Sequence, residues 1–173
     1  AKALSSGYIP ISALMINEKV YQPIAAQSAE IGSLGHGFTY SGHPVAAAVA
    51  LETLNIYEEL DLVEMVQEIS PILQKGIQAF ADHPLIGDTD GVGLLAVAEL
   101  VANKETGEAF SAEKRVGPYL LDRALDHGLI VRALGDRIAF SPPLVITQSE
   151  IEEMFIRFRK ALDDTMKWLK TGH

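Results

Sequence analysis

The 173-residue chain is 48% hydrophobic and 21% charged, which is the composition of a globular protein with one sizeable core or two smaller ones. Its net charge of −9 makes nucleic acid an unfavourable partner, and no apolar run is long enough to cross a membrane. The absence of cysteine excludes disulfides and thiolate metal sites and fits a reducing compartment, and the five histidines show no metal-ligand spacing.

The first part of the chain is rich in loops. A glycine and a proline precede a short apolar run, which predicts a turn and then a strand near 11–16, and residues 19–23 predict a short helical turn. Residues 28–43 hold four glycines and three serines, so we expect a long loop there. Pro44 suits the first turn of a helix. The residues that this helix is expected to bury are Val45, Val49, Ile56 and Leu60.

The middle of the chain alternates helix and strand patterns. Apolar residues at steps of three and four between Leu62 and Phe80 predict a helix that Pro71 should kink or split. The nearly continuous apolar run at 91–101 predicts a strand covered on both faces. A polar turn around Gly107 follows, and then a helix over 112–127 that ends at Gly128.

The last part of the chain carries the strongest local signals. Gly135-Asp136 between residues 129–133 and 137–140 predicts a hairpin of two short strands. Thr147 and Glu150 form a capping box that should begin the final helix. The apolar face of that helix is predicted to hold Ile151, Phe155, Phe158, Leu162, Met166 and Leu169. From about residue 61 onward the chain therefore predicts a compact α+β unit.

Three segments could carry chemistry. Lys2 is either a solvated charge or a reactive amine, and the small residues after it would let a cofactor approach the backbone. The loop GHGFTYSGHP at 35–44 could bind a phosphate at a helix N-terminus, or it is a capped loop in which Ser41 or His43 satisfies the first turn.

Arg132 stands in an apolar strand, where an arginine either extends to solvent or pairs with an anion such as a substrate carboxylate. Arg137 is the weaker candidate because it directly follows the hairpin turn. The acidic residues lie on helix faces and at helix N-termini, and we assign them no chemistry.

These segments resemble one family, the class III aminotransferases that use pyridoxal 5′-phosphate (PLP). Residues 1–10, AKALSSGYIP, resemble the segment around the family's cofactor lysine, and residues 35–44 resemble its phosphate loop in the omega-transaminase version. Residues 131–136, VRALGD, and 141–144, SPPL, resemble its carboxylate-binding strand and the turn after it. Ser12 stands where the family more often has glycine.

The resemblance implies roles for five residues. Lys2 would form the Schiff base with PLP and move the substrate proton. Thr39, with Phe38 beside it, would reach across a homodimer interface to the phosphate of the partner's cofactor. Arg132 would pair with a substrate carboxylate and swing away for amines without one, and Leu134 would line the same pocket.

The implied fold class is α/β, the fold type I of PLP-dependent transferases. Residues 1–60 would end the large PLP-binding domain, and 61–173 would form the α+β C-terminal small domain. The family's upstream half, with the acidic partner of the pyridine nitrogen, is absent from this chain, which begins without Met. We therefore expect the chain to be part of a longer protein. We also expect that protein to be a cytoplasmic enzyme without a metal site.

The implied reaction moves an amino group between an amine or amino acid and a keto acid, with pyruvate as the expected acceptor. Two alternatives remain open. One is a class III aminomutase or an amino-acid-specific transaminase of the 4-aminobutyrate or ornithine type. The other is a non-catalytic α/β interaction domain that keeps the fold of the small domain.

Overall fold

The computed structural model describes residues 3–171 and divides into two compact units, Ala1–Asp61 and Leu62–His173. The first unit contains helix α1 (Glu18–Ile31) and helix α2 (Pro44–Glu59). The side chain of Asn17 accepts the Val20 N–H and starts α1, and Gly32 ends it with a φ of 93°. The short helical turn predicted at 19–23 is therefore part of a longer helix, and the loop predicted from 28 begins at Gly32.

The strand predicted at 11–16 is wrong. The segment is not in a strand, and the side chains of Leu14 and Met15 are 88% and 93% exposed. An apolar run becomes a strand only where it pairs with a neighbouring strand, and residues 11–16 belong to no sheet described for residues 3–171.

Helix α2 begins at Pro44, as predicted, but it buries a different face. Its buried residues are small and follow helical spacing: Ala46, Ala50 and Thr53. Three of the residues predicted to be buried are instead more than two-fifths exposed, namely Val45, Ile56 and Leu60. Small side chains let a helix approach its neighbour closely, so the alanine face is the one that packs.

The second unit is an antiparallel sheet with helices on one face. Its elements are α3 (Leu62–Gln78), β1 (Ile86–Val92), β2 (Leu95–Leu100), α4 (Val116–Asp126), β3 (Arg132–Leu134), β4 (Arg137–Phe140) and α5 (Gln148–Lys170). The strand order is β1-β2-β4-β3. Side chains from the three helices and from alternate positions of β2 and β4 share one core, in which Phe158 contacts the rings of Phe80 and Phe140 at centroid distances of 5.0 and 4.9 Å.

Two predictions in this unit need correction. The single strand predicted at 91–101 is a hairpin that turns at Gly93, whose φ is 58°. Strand β2 buries only alternate residues, so one face is covered and not both. Pro71 does not split α3, which is continuous.

The hairpin turn and the capping box predicted in the last part are confirmed, whereas the first strand of the hairpin is Arg132–Leu134 and not 129–133. Gly128 has a φ of 74° after α4, and Gly135 has a φ of 64° in the turn between β3 and β4. The helix predicted from 112 is interrupted at Arg115, so α4 itself begins at Val116. The capping box of Thr147 and Glu150 starts α5. Across residues 3–171 no helix combines the length and the apolar character that crossing a bilayer requires.

Gly117 determines how closely α4 approaches the β3–β4 turn. Its N–H donates to the carboxylate of Asp136 at 2.9 Å. A Cβ on Gly117 would lie 1.9 Å from the carbonyl oxygen of Gly135, which is backbone and cannot rotate away.

We expect Gly117→Ala to lower the free energy of unfolding by about 1–3 kcal/mol, because the hairpin or the helix must move to admit the methyl group. Urea unfolding of the protein measures this. Gly35→Ala is the matched control, since a Cβ there has nothing within 4 Å. Equal stability of the Gly117 variant and the wild type would contradict the close approach.

His83 is a buried histidine between α3 and β1. Its Nδ1 accepts the Leu85 N–H at 3.2 Å, and its Nε2 lies 3.7 Å from a carboxylate oxygen of Asp163. Burial is the main cause that lowers the pKa of His83; Asp163 opposes this effect, while the cations Arg159 and Lys104 add to it.

The unfolded chain therefore binds the His83 proton more readily than the folded chain does. Stability from this residue is fully present above the ordinary histidine pKa and is lost as the pH falls from there through the lowered pKa. We expect His83→Asn, whose side-chain oxygen can accept the same N–H, to flatten the fall in unfolding free energy between about pH 7.5 and about pH 5. Urea titrations of both proteins measure it, with the exposed His36→Asn as control. Parallel pH curves would exclude this role.

Candidate functional site

Lys2 itself lies outside the described residues, but the segment after it is well anchored. The Ala3 carbonyl accepts the Tyr57 hydroxyl of α2 at 2.7 Å and the Ser6 N–H at 3.2 Å. Ser5 is buried, and its hydroxyl donates to the Ile9 carbonyl at 2.6 Å. The backbone that follows Lys2 is thus tied to α2 by a hydrogen bond between residues 54 positions apart.

The loop before α2 contains a turn from Phe38 to Ser41. The Ser41 N–H donates to the Phe38 carbonyl at 2.9 Å, and the Phe38 N–H donates to the Ser41 hydroxyl at 3.2 Å. A second turn follows, in which the His43 N–H donates to the Tyr40 carbonyl at 3.2 Å. These bonds define the path of a loop whose side chains are all exposed.

His43 caps α2. Its Nδ1 accepts the Ala46 N–H at 3.3 Å, and its carbonyl accepts the Ala47 N–H at 3.0 Å. The capped-loop explanation of this segment is therefore correct for His43, whereas Ser41 bonds to Phe38 and not to the helix. The cap leaves Thr39 uninvolved, so capping and phosphate binding do not compete for the same residue.

Thr39 sits at the exposed tip of the first turn. Neither its N–H nor its hydroxyl has a hydrogen-bond partner within residues 3–171. Two unpaired donors near the positive end of a helix fit the phosphate group of PLP. Phe38 fits less well through its backbone, because its N–H is already bonded to Ser41.

A cavity of about 960 Å³ lies beside this loop in the first unit. Its lining residues come from the segment after Lys2, from the loop and from the first turns of α2. They are Ile9, Pro10, Ile11, Ser12, Phe38, Tyr40, Ser41, Gly42, His43, Ala46 and Ala47. Within the first unit, the loop thus borders the same cavity as the segment that follows Lys2.

Arg132 and Leu134 lie on one face of β3 in the second unit. Ala133 between them packs against the core, so both neighbours point to the open face of the sheet. Leu134 is 54% exposed. Arg132 is also exposed and forms no ion pair or hydrogen bond with any described residue outside the strand pairing. An unpaired guanidinium on an open face can take a carboxylate.

Arg137, the weaker arginine candidate, is already paired. Its Nε lies 3.4 Å from a carboxylate oxygen of Glu99, its partner in the neighbouring strand. A shallow concavity of about 530 Å³ covers this open face; Leu134, Arg137 and Glu99 line it together with Asp88. On β3, the open face of the sheet thus carries Arg132, which has no ion pair with a described residue, beside the apolar Leu134.

No group of three or more His, Asp or Glu side chains among residues 3–171 is placed to hold a metal ion.

Two contacts of this region were missed by sequence reasoning. The bond between Tyr57 and Ala3 joins residues far apart in the chain, and no local pattern indicates it. The bond between the Ser41 hydroxyl and the Phe38 N–H is local, since serine side chains bond to nearby backbone groups, but no pattern fixes this partner.

Comparison with known proteins identifies the family. The model of the family "Aminotransferase class-III" matches residues 1–162. Gamma aminobutyrate transaminase 3, chloroplastic, of Solanum lycopersicum is 48% identical over 95% of this chain and 32% of its own length. Vanillin aminotransferase of Capsicum chinense is 45% identical over 96% of this chain and 36% of its own length.

Solved structures agree with the sequence comparison. The omega transaminase of Pseudomonas jessenii in complex with PMP superimposes with a TM-score of 0.93 at 48% identity, covering all of this chain and 38% of that one. This likeness confirms the predicted fold class, fold type I of the PLP-dependent transferases, for a chain that spans about a third of the length of its relatives. The chain belongs to the class III aminotransferase family.

Proposed function

We propose that this chain is part of a PLP-dependent aminotransferase that moves an amino group from an amine or amino acid to a keto acid, with pyruvate as acceptor. Family membership supports the reaction class. The observation that carries the proposal for the site is the pair of unpaired donors on Thr39 beside the capped start of α2. When bound, PLP acts as an electron sink for the carbanion left by loss of the substrate proton.

Lys2 holds the cofactor through its amine in this proposal. After substrate displaces it, the released amine moves the proton from and back to the substrate carbon, which requires an uncharged lysine close to that carbon. The bond from Tyr57 to Ala3 supports this role, because it fixes the residue next to Lys2.

Thr39 donates its hydroxyl and its N–H to the cofactor phosphate. The resemblance makes this the phosphate of the partner subunit in a homodimer, with Phe38 placed beside it. The exposure of Phe38 and Tyr40, at 74% and 80%, supports a loop that a second subunit covers.

Arg132 binds the substrate carboxylate, and Leu134 forms an apolar wall of the same pocket. Support comes from their common open face and from the free guanidinium. A cytoplasmic location remains the prediction, although plant relatives are named as chloroplastic and mitochondrial proteins.

One narrower function has support of its own. Several relatives are named gamma aminobutyrate transaminases, and an unpaired arginine suits an amino donor that carries a carboxylate. A substrate panel of 4-aminobutyrate, β-alanine and chiral amines decides between an amino-acid-specific enzyme and a broad omega-transaminase.

We expect the full-length protein to show the visible absorbance band of lysine-bound PLP and, after borohydride reduction, to retain the cofactor on the peptide that contains Lys2. Lys2→Ala should lose both signals, because no amine remains to form the bond. Absorbance and peptide mass mapping measure this. Lys19→Ala, on the exposed start of α1, is the control.

An aldimine band in Lys2→Ala, with the cofactor fixed by reduction to a peptide with another lysine, would overturn the assignment of Lys2. A folded wild-type protein that binds no PLP would instead favour the non-catalytic interaction domain.

We expect Arg132→Ala to lower kcat/KM for amino donors that carry a carboxylate by about ten- to a hundredfold, since a charge-assisted hydrogen bond contributes about 1.5–3 kcal/mol. Donors without a carboxylate should change little. Steady-state kinetics with 4-aminobutyrate and a chiral amine measures the contrast. Arg137→Ala, which removes the arginine paired with Glu99, is the matched control. An equal loss for both donor classes would argue against carboxylate binding by Arg132.

A further inference from the structure

We propose that Ser41 is a positioning residue that holds the Thr39 hydroxyl toward the cofactor phosphate. The inference rests on the proposed function of Thr39 as a phosphate donor. Ser41 is not one of the predicted binding residues, and its hydroxyl bonds within the loop rather than to the helix.

Two hydrogen bonds close the turn that carries Thr39. The backbone bond from the Ser41 N–H to the Phe38 carbonyl is 2.9 Å long, and the side-chain bond from the Phe38 N–H to the Ser41 hydroxyl is 3.2 Å long. Together they fix both the N–H and the C=O of Phe38. The Phe38 C=O belongs to the peptide unit that leads into Thr39, and the Phe38 N–H belongs to the unit before it, so the two bonds hold both peptide units that flank Phe38.

The same bond determines which backbone donor remains available. It occupies the Phe38 N–H, whereas the Thr39 N–H and hydroxyl have no partner within the described chain. Loss of the Ser41 hydroxyl would release the peptide unit between Gly37 and Phe38 and would leave the turn with its backbone bond alone. The two donors of Thr39 would then spend less time in one orientation.

This role differs from that of His43, the other polar side chain that organises the loop. His43 bonds to the Ala46 N–H and stabilises the helix start. Among the described residues, Ser41 bonds only within the turn. A defect at Ser41 should therefore appear in phosphate binding and not in the stability of α2.

Pyridoxal, which lacks the phosphate, separates positioning from a general structural effect. The test uses the full-length apoprotein and measures dissociation constants for PLP and for pyridoxal by fluorescence titration. The variants are Ser41→Ala, Ser41→Thr, Thr39→Val and the double variant Ser41→Ala with Thr39→Val. Ser33→Ala is the matched control, because Ser33 is an exposed loop serine for which no bond is found in residues 3–171.

We expect Ser41→Ala to weaken PLP binding about two- to tenfold, the effect of one hydrogen bond, and to leave pyridoxal binding unchanged. Ser41→Thr should restore PLP binding because it keeps the hydroxyl at an exposed position. In the Thr39→Val background, Ser41→Ala should have a smaller effect than in the wild type, because the N–H of residue 39 is then the one donor left to position.

Three results would overturn the inference: an unchanged PLP constant in Ser41→Ala, an equal loss for PLP and pyridoxal, or full additivity with Thr39→Val. The proposed function would still stand in each of these cases if two results held. The wild type would bind PLP more tightly than pyridoxal, and Thr39→Val would reduce this difference in dissociation constant. A wild type without that preference overturns the proposed function, and the role of Ser41 with it.

Discussion

One-sided burial of the antiparallel sheet is the constraint on which the second unit depends. Helices α3, α4 and α5 cover the face that holds Ala98, Ile138 and Phe140. Because side chains alternate along a strand, Ala133 points into that core and Arg132 points away from it. A slip of one residue in β3 would bury an unpaired guanidinium at a cost of several kcal/mol. Packing of the core therefore determines that the Arg132 side chain lies on the open face of the sheet.

In the first unit, different residues of the loop before α2 form different hydrogen bonds. His43 satisfies the start of α2, and Ser41 closes the turn before it, so neither need falls on Thr39. Unpaired N–H groups are costly once they are covered, so a ligand or subunit that covers this exposed loop must supply acceptors. Thr39 keeps two donors free within residues 3–171, and this is the physical basis for assigning it an external ligand.

Local chemistry made part of this predictable. The Gly135 turn, the Gly128 helix end and the Thr147 capping box follow from rules that need only neighbouring residues. Predictions of features that depend on distant partners were wrong. Examples are the strand at 11–16 and the burial of the large apolar residues of α2. Residue pattern alone left Lys2, the loop at 35–44 and Arg132 with two explanations each, and the resemblance favoured one explanation in each case and added Thr39. The contact of Tyr57 with Ala3 had no signal at all.

Both Lys2 and Thr39 are proposed to bind PLP. Lys2 bonds to the cofactor through its amine, and Thr39 binds the phosphate of the partner subunit's cofactor through its hydroxyl. A crystal structure of the full-length protein with PLP tests this proposal most directly. The account predicts a covalent bond from Lys2 Nζ to the cofactor and a Thr39 hydroxyl about 3 Å from a phosphate oxygen. PLP bound with its phosphate held by other groups, and with the Thr39 hydroxyl facing solvent, would contradict it.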